Sequence, residues 1–183
     1  MVIEKSKIGT AAIANYWQNN SSSDIPWQLR WKPVCASTEI NLSQWLLEKP
    51  LSDKYPRAFI AGRQTYGKGQ RGRVWLSPRG GIWISAALPC LAKQQSVGLF
   101  GLAVALALTE RLENRKIPAQ IKWPNDVLVY GKKVIGLLPS LIYRGHSFRY
   151  ARVGIGLNVC NKVPKSGISL SEILGFKSCN LSE

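Results

Sequence analysis

The chain has 183 residues, 45% of them hydrophobic, and carries 25 Lys and Arg against 10 Asp and Glu, a formal net charge of +15. This length suits one folded domain with a core of its own, and the composition excludes a disordered chain. The positive charge predicts an anionic partner or substrate, for which nucleic acid, nucleotide phosphates and acidic proteins all qualify.

The cysteines and apolar segments indicate the cellular compartment. No C-x-x-C pair occurs among Cys35, Cys90, Cys160 and Cys179, which argues against a zinc site or a redox motif. We therefore expect reduced thiols in a cytoplasmic protein. The longest apolar run, from Val97 to Leu108, is too short to span a bilayer, so no membrane association is expected. The single histidine, His146, lies in a predicted turn, which argues against a Ser-His-Asp triad and against a multi-histidine metal site.

The first part of the chain predicts a strand followed by a helix. Residues 1–28 include the polar sequence NNSSSD and predict an irregular or weakly helical lead-in, so we place the folded domain at residues 29–183. A strand over residues 29–34 precedes Ser37, which is typical of a helix N-cap. The apolar face of this helix carries Leu42, Trp45 and Leu46.

Short strands and tight turns dominate the rest of the chain. AFIAG and residues 82–88 predict strands, the second with apolar residues at alternate positions. A nearly continuous apolar stretch predicts a helix over residues 97–114, buried against a sheet. QIKW and VLVY are further strands, and the turns YGKK and RGHS connect later strands as hairpins. The pattern predicts an α/β (α+β) fold with a mixed, largely antiparallel sheet flanked by helices.

One segment combines glycines with positive charge. GRQTYGKGQRGRVW, residues 62–75, contains Arg63, Lys68, Arg71 and Arg73 and no carboxylate. Glycines let backbone N–H groups approach a ligand, and the cations can bind phosphate or carboxylate oxygens. The spacing matches neither a P-loop nor a dinucleotide fingerprint. Composition alone therefore leaves a small-ligand clamp and a nucleic-acid-binding arm open.

Three later motifs each have a functional and a structural interpretation. In KWPND, residues 122–126, Asp126 can pair with a cation or hold Mg²⁺, or it can simply close a turn. Lys133 stands where an apolar strand begins, and it is either a cation whose geometry is restricted by burial or an exposed hairpin lysine. The alternate glycines of GIGLN, residues 154–158, allow a flat group to lie on the backbone, or they mark a bulge.

Together and in this order, these segments resemble the catalytic domain of biotin–protein ligases, also called biotin–[acetyl-CoA-carboxylase] ligases. The matching segments are ST at 37–38, QTYGKGQRGRVW at 64–75, SPRGG at 77–81, KWPND at 122–126, KVIGLL at 133–138 and GIGLN at 154–158. The resemblance implies a fold related to class II aminoacyl-tRNA synthetases. It also implies activation of biotin by ATP, with Mg²⁺, to biotinyl-5'-AMP, and transfer to a lysine of the biotin carboxyl carrier protein of acetyl-CoA carboxylase.

The resemblance also implies roles for individual residues, with no resident metal site. The residues matched to biotin binding are Ser37, Thr38, Glu39, Gln64, Lys68, Gly69, Gln70 and Lys133. Those matched to nucleotide binding are Arg71, Arg73, Trp75, Asn125, Gly136, Gly154, Gly156 and Asn158. The residues matched to catalysis are Lys133, Lys122 and Asp126.

The chain departs from the family pattern at several positions. Lys68 and Gln70 stand where arginines are usual, which removes bidentate donors. Pro139 and Ser140 stand where a Val-Glu-like pair is usual. The sequence ends at NLSE, so we expect a C-terminally truncated domain without the small C-terminal β-barrel of the family.

Other functions are compatible with the same residues. The domain resembles the monofunctional kind of ligase without a DNA-binding domain, so no operator binding is expected, and a homodimer is possible. The alternatives are a lipoate or octanoyl transferase of the same fold, an inactive ligase remnant, and a basic nucleic-acid-binding module that uses the 62–75 segment and its tryptophans.

Overall fold

The computed structural model describes residues 27–52, 54–89 and 99–175, which form a single sheet with helices packed against it. The strands are β1 (Gln28–Lys32), β2 (Arg57–Ala61), β3 (Ile82–Pro89), β4 (Ala119–Lys122), β5 (Asp126–Val129), β6 (Lys132–Arg144) and β7 (Ser147–Leu157). The helices are α1 (Thr38–Glu48), α2 (Phe100–Glu113) and α3 (Leu170–Leu174). Most of the predicted lead-in and the final NLSE lie outside the described residues.

The sheet has the strand order β1-β2-β3-β7-β6-β5-β4. Only β1 and β2 pair in parallel, and the other neighbours are antiparallel. The prediction of a mixed, largely antiparallel sheet flanked by helices is therefore confirmed. The turns YGKK and RGHS form the predicted hairpins, with Tyr130, Gly131 and Gly145 at positive φ.

Helix α1 covers one face of the sheet, as its apolar pattern predicts. Ser37 is the N-cap, and its hydroxyl accepts a hydrogen bond from the backbone N–H of Glu39 at 3.2 Å. Leu42, Trp45 and Leu46 are buried against β2 and β3, where they contact Phe59, Ala61 and Ala87. The cap and the apolar face together fix where α1 begins and how it lies on the sheet.

Helix α2 covers the opposite face, where it packs on β4, β5 and β6 as the predicted helix buried against a sheet. Its apolar sequence extends beyond the buried side, because Leu102 and Leu106 are 40% and 49% exposed, as is Leu99 just before the helix at 64%. Only one stripe, with Ala105, Thr109 and Leu112, is buried. A helix on a sheet buries one stripe even when its sequence is apolar all round.

Strand β3 is buried on both faces because each face packs into a separate apolar cluster, with Ala86 in one and Ala87 in the cluster beneath α1. The alternation in its sequence marked Ile82, Ile84, Ala86 and Leu88 as one apolar face. The structure also buries Trp83, Ser85 and Ala87, which point to the other face. The indole of Trp83 donates a hydrogen bond to the carbonyl oxygen of Pro78 at 2.9 Å.

The two cysteines in the described ranges, Cys35 and Cys160, differ in their bonding. Cys35 is a free thiol, and burial raises its pKa, which keeps it protonated and unreactive. Cys160 is disulfide-bonded, so the expectation of reduced thiols is wrong for this residue. Within residues 27–52, 54–89 and 99–175, no helix is both long and apolar enough to cross a bilayer.

Truncation of Leu42 tests the packing of α1. Leu42 is fully buried, whereas Leu47 on the same helix is 85% exposed. Leu42→Ala is expected to lower the free energy of unfolding by about 2–5 kcal/mol, because it leaves a cavity in the core. Leu47→Ala should lower it by less than about 0.5 kcal/mol. Urea denaturation measures both, and equal losses would contradict this packing of α1.

Candidate functional site

A cavity of about 160 Å³ lies where the start of α1, the 62–75 segment and the middle of the β6–β7 pair meet. The predicted site residues that line it are Ser37, Thr38, Glu39, Gln64, Lys68, Gly69, Gln70, Arg73, Trp75, Asn125, Asp126, Lys133, Gly136, Gly154 and Gly156. Three predicted residues, Lys122, Arg71 and Asn158, lie outside this lining. Residues far apart in sequence thus share one space.

A hydrogen-bonded network lies along one side of the cavity, and we call it the polar wall (Thr38, Gln64, Ser77 and Ser85). Ser77 lies behind the lining, and the other three residues line the cavity. The side-chain oxygen of Gln64 accepts from the backbone N–H of Thr38 at 2.8 Å and from its hydroxyl at 3.0 Å. The amide nitrogen of Gln64 donates to Ser77 Oγ at 2.8 Å. The hydroxyls of Thr38 and Ser85 lie 2.8 Å apart. The network connects α1, the 62–75 segment and β3.

The 62–75 segment is a hydrogen-bonded hairpin. The backbone N–H of Trp75 donates to Gly67 O at 2.9 Å, and that of Gly69 donates to Arg73 O at 2.7 Å. A Cβ on Gly67 would lie 2.4 Å from the carbonyl oxygen of Trp75, so only glycine permits this approach. Residues Gln70–Gly72 form the turn, with Arg71 at φ 56°. Lys68 lies over the ring of Tyr66, with 5.0 Å between Nζ and the ring centroid.

The indole of Trp75 lies on the glycines of β6 and β7. Gly136 pairs with Gly156 across these strands. A Cβ at either position would approach the indole within 2.7 Å or 2.5 Å, respectively. The alternate glycines therefore do accommodate a flat group, and in this structure that group is a side chain of the protein.

A lysine–carboxylate pair occupies another part of the cavity. Lys133 Nζ lies 2.7 Å from Asp126 Oδ2, and the Lys133 side chain is 35% exposed. The same ammonium lies 5.6 Å from the centroid of the Trp75 ring. Asp126 therefore does more than close a turn, because it holds the lysine at the cavity.

The two predicted site asparagines, Asn125 and Asn158, donate hydrogen bonds to backbone carbonyl oxygens of β6. Asn125 lines the cavity, and its side-chain amide donates to Leu137 O at 2.7 Å. Asn158 is buried outside the lining, and its amide donates to Lys133 O at 3.3 Å. Lys122 is exposed opposite Asp126 in the β4–β5 pair, and Arg71 is exposed on the hairpin turn. Asn158 thus holds the backbone of the cavity lysine.

Several lining residues were missed from the sequence. Ser85 belongs to the polar wall, but as the small polar member of an apolar strand it gives no motif signal. Its position facing Gly154 across β3 and β7 is visible only once the strands are paired. The apolar lining residues that were also missed are Val74, Ile84, Leu137, Leu138 and Ile155.

Three buried polar atoms of the lining residues have no hydrogen-bond partner in the part of the chain that the structure describes. They are Glu39 Oε2, Trp75 Nε1 and Asp126 Oδ1. Buried polar groups are nearly always paired, and each unpaired one costs about 1–3 kcal/mol. This arrangement suits a ligand that supplies the missing partners. Lys68, Arg73 and Lys133 further suit a ligand with an anionic end.

Comparisons with known proteins show the family to which the chain is similar. A sequence profile described as the biotin/lipoate A/B protein ligase family matches residues 33–158. The bifunctional ligase/repressor BirA of Bacillus subtilis is 37% identical over 128 residues, which are 64% of this chain and 39% of that protein. The biotin–[acetyl-CoA-carboxylase] ligase of Paracoccus denitrificans is 35% identical over 111 residues, 59% of this chain and 46% of that protein.

A solved structure shows the same fold. Biotin protein ligase from Aquifex aeolicus in complex with biotin and ATP is 36% identical, with a TM-score of 0.60 over 84% of this chain and 63% of that chain. The chain spans less than half the length of the two curated relatives above.

Alanine at the two β7 glycines tests the packing of Trp75. Neither glycine has a positive φ, so the backbone accepts alanine. A Cβ on Gly156 would lie 2.5 Å from Trp75 Nε1, whereas one on Gly154 would lie 3.4 Å from its nearest neighbour, Leu138 Cβ. Gly156→Ala is expected to cost about 1–3 kcal/mol of stability by overpacking, and Gly154→Ala clearly less. Thermal unfolding measures both, and the reverse order would contradict the position of the indole.

Proposed function

The chain belongs to the biotin/lipoate A/B protein ligase family, and from this membership we propose that it activates biotin with ATP and transfers the biotinyl group to a lysine of an acceptor protein. One observation carries the proposal: a single cavity combines the uncharged polar wall with the Lys133–Asp126 pair. A ligand with an uncharged polar ring at one end and a carboxylate at the other matches both parts.

The polar wall suits the ureido ring of biotin. This ring has two N–H donors and one carbonyl acceptor, and the hydroxyls of Thr38 and Ser85 can rotate to donate or accept. Gln64 adds a side-chain amide, and Glu39 adds a carboxylate oxygen without a partner among the described residues. A site built for hydrogen bonds strongly rejects a ligand that lacks the matching groups. The dithiolane ring of lipoate lacks them, so the wall favours biotin.

The first half-reaction joins two anions. A carboxylate oxygen of biotin attacks the α-phosphorus of ATP, a C–O–P linkage forms, and the bond to the β-phosphate oxygen breaks to release pyrophosphate. We assign Lys133 the role of neutralising the charges that meet, with Asp126 fixing its ammonium at 2.7 Å. Positioning and electrostatic stabilisation supply such catalysis, so the protein needs no nucleophile of its own.

The nucleotide is assigned to the hairpin and the glycine strands. Arg73 lines the cavity and Arg71 is exposed on the same turn. Neither makes an ion pair within the described ranges, so both guanidinium groups are open to phosphate oxygens. The indole of Trp75, which covers Gly136 and Gly156, offers a flat surface for the adenylate or the biotin ring.

Mg²⁺ is assigned to the nucleotide phosphates and Asp126. Asp126 Oδ1 is buried and has no hydrogen-bond partner in the described part of the chain. A carboxylate oxygen is the donor type that Mg²⁺ takes beside phosphate oxygens. When bound, the ion neutralises phosphate charge.

The second half-reaction transfers the biotinyl group. The amine of the acceptor lysine attacks the carbonyl carbon of biotinyl-5'-AMP, an amide bond forms, and AMP leaves. We propose the biotin carboxyl carrier protein of acetyl-CoA carboxylase as the acceptor and the cytoplasm as the compartment.

Biotin-dependent exchange between ATP and pyrophosphate tests the proposal directly, because only adenylate formation produces it. Exchange that requires biotin supports the ligase. If exchange is absent while biotin still raises the melting temperature, the chain is an inactive remnant. Exchange that lipoate supports and biotin does not would identify a lipoate-activating enzyme. A salt-sensitive gel shift without stabilisation by biotin would instead favour the nucleic-acid-binding alternative.

Removal of the cavity lysine tests its assigned role. Lys133→Ala is expected to reduce biotin-dependent exchange by at least about 100-fold, because it removes the cation at the reacting centre. The matched control is Lys132→Ala, since Lys132 is exposed and adjacent in sequence. Initial exchange rates at saturating biotin and ATP measure both. Exchange near the wild-type rate in Lys133→Ala would refute the assignment.

Two substitutions in the hairpin should change adenylate retention in opposite directions. Gln70→Arg adds a charge-assisted donor to the cavity lining and should slow release of biotinyl-5'-AMP by about five- to tenfold. Lys68→Gly removes a cation and should speed its release. Release is measured by chasing labelled adenylate with excess unlabelled biotin. Equal release rates in both variants would show that these side chains do not contact the adenylate.

A further inference from the structure

We propose that Arg152 is a positioning residue of the cavity, which clamps the first turn of α1 to the β6–β7 pair and thereby holds the polar wall in its binding geometry. Arg152 belongs to no matched motif and does not line the cavity. The effect of Arg152 on biotin affinity rests on the proposed function, whereas its effect on the geometry of the polar wall does not.

The guanidinium of Arg152 reaches two other elements of the fold. Its Nε lies 2.7 Å from Glu39 Oε1 in the first turn of α1. Its Nη1 donates to Ser43 Oγ, one turn further along α1, at 2.7 Å. Nε also lies 3.3 Å from Ser140 Oγ on β6. One planar cation from β7 therefore connects the start of α1 to both strands of the hairpin.

This contact is too enclosed to be an ordinary surface ion pair. The side chains of Arg152 and Glu39 are 19% and 23% exposed. Arg152 is the one cation paired with Glu39 in the described part of the chain, where Glu39 Oε2 has no partner at all. Loss of one member of such a pair leaves the other charge without compensation. Glu39 would then leave its present position to reach water.

The clamp acts on the wall through the residue next to Glu39. Thr38 precedes it, and both the N–H and the hydroxyl of Thr38 bind Gln64. A shift of this first turn would lengthen these bonds and the contact between the hydroxyls of Thr38 and Ser85. The polar wall therefore depends on where Arg152 holds α1.

Ser140 determines which carboxylate pairs with Arg152. Ser140 faces Arg152 directly in the β6–β7 register, and the family resemblance places a glutamate at this position. A glutamate there would pair with Arg152 inside the sheet. With serine, the carboxylate partner of Arg152 comes from α1, so the ion pair ties the helix to the sheet.

Biotin affinity, measured by isothermal titration calorimetry, tests the proposal in five proteins: wild type, Arg152→Met, Arg152→Lys, Ser140→Glu and Arg30→Met. Arg30→Met is the matched control, because Arg30 also pairs with a glutamate of α1, Glu48, but at the far end of the helix and with both side chains more than half exposed. Arg152→Met should raise the Kd for biotin about tenfold, and Arg30→Met should leave it unchanged.

Ser140→Glu is the more specific test of the ion pair, because it keeps both Arg152 and Glu39 and adds no residue to the cavity lining. It should redirect Arg152 and raise the Kd by a similar factor, and Arg152→Lys should give an intermediate value. If Arg152→Met fails to fold, Ser140→Glu decides. A wild-type Kd in Ser140→Glu, or in a folded Arg152→Met with a lowered melting temperature, would reduce the pair to a structural role and overturn the proposal.

Hydrogen exchange separates this inference from the proposed function. The amide of Thr38 donates to Gln64 in the free protein, so its exchange rate reports on the wall without any ligand. Faster exchange at Thr38 in Ser140→Glu, but not in Arg30→Met, supports the clamp even if the wild type binds no biotin. An unchanged rate overturns the clamp even if the wild type proves to be an active ligase.

Discussion

The register of β6 against β7 is the constraint on which the candidate site depends. It sets Gly136 opposite Gly156 and Leu138 opposite Gly154. Paired positions in an antiparallel sheet share a face, so these rows of the two strands form one surface. Because side chains alternate along a strand, a slip of one residue would turn this surface away from the cavity.

Neighbouring strands extend these rows across the sheet. Asp126 on β5 faces Gly136, and Ser85 on β3 faces Gly154. Each row thus carries a polar side chain beside a glycine, and the indole of Trp75 lies over Gly136 and Gly156. Lys133 stands three residues before Gly136, and its ammonium reaches Asp126. The charged pair and the polar wall are therefore separate parts of a single sheet surface.

The sequence predicts local features of this arrangement well. Ser37 as an N-cap, the apolar face of α1 and the two hairpin turns follow from rules that act within a few residues. The site residues were predicted because their motifs resemble a family, and most of them share the cavity. Ser85 and Arg152 were missed because their roles arise from strand pairing and helix docking over long sequence separations. The apolar sequence of α2 predicts that the helix packs on the sheet, but apolar composition alone does not show which stripe meets the sheet.

The composition of the hairpin at residues 62–75 could not distinguish a small-ligand clamp from a nucleic-acid-binding arm. Glycines and cations suit a loop that orders around a ligand and equally a basic arm, but the backbone of this segment is already hydrogen-bonded in the free protein. Gly67 permits that closure, and Gln64 fastens the base of the hairpin to α1. Ligand binding would therefore need to move side chains more than backbone. Lys68, now over Tyr66, and Arg73 are long enough to reorient while the hairpin stays closed. A preformed backbone with adjustable cations lowers the entropy lost on binding an anion.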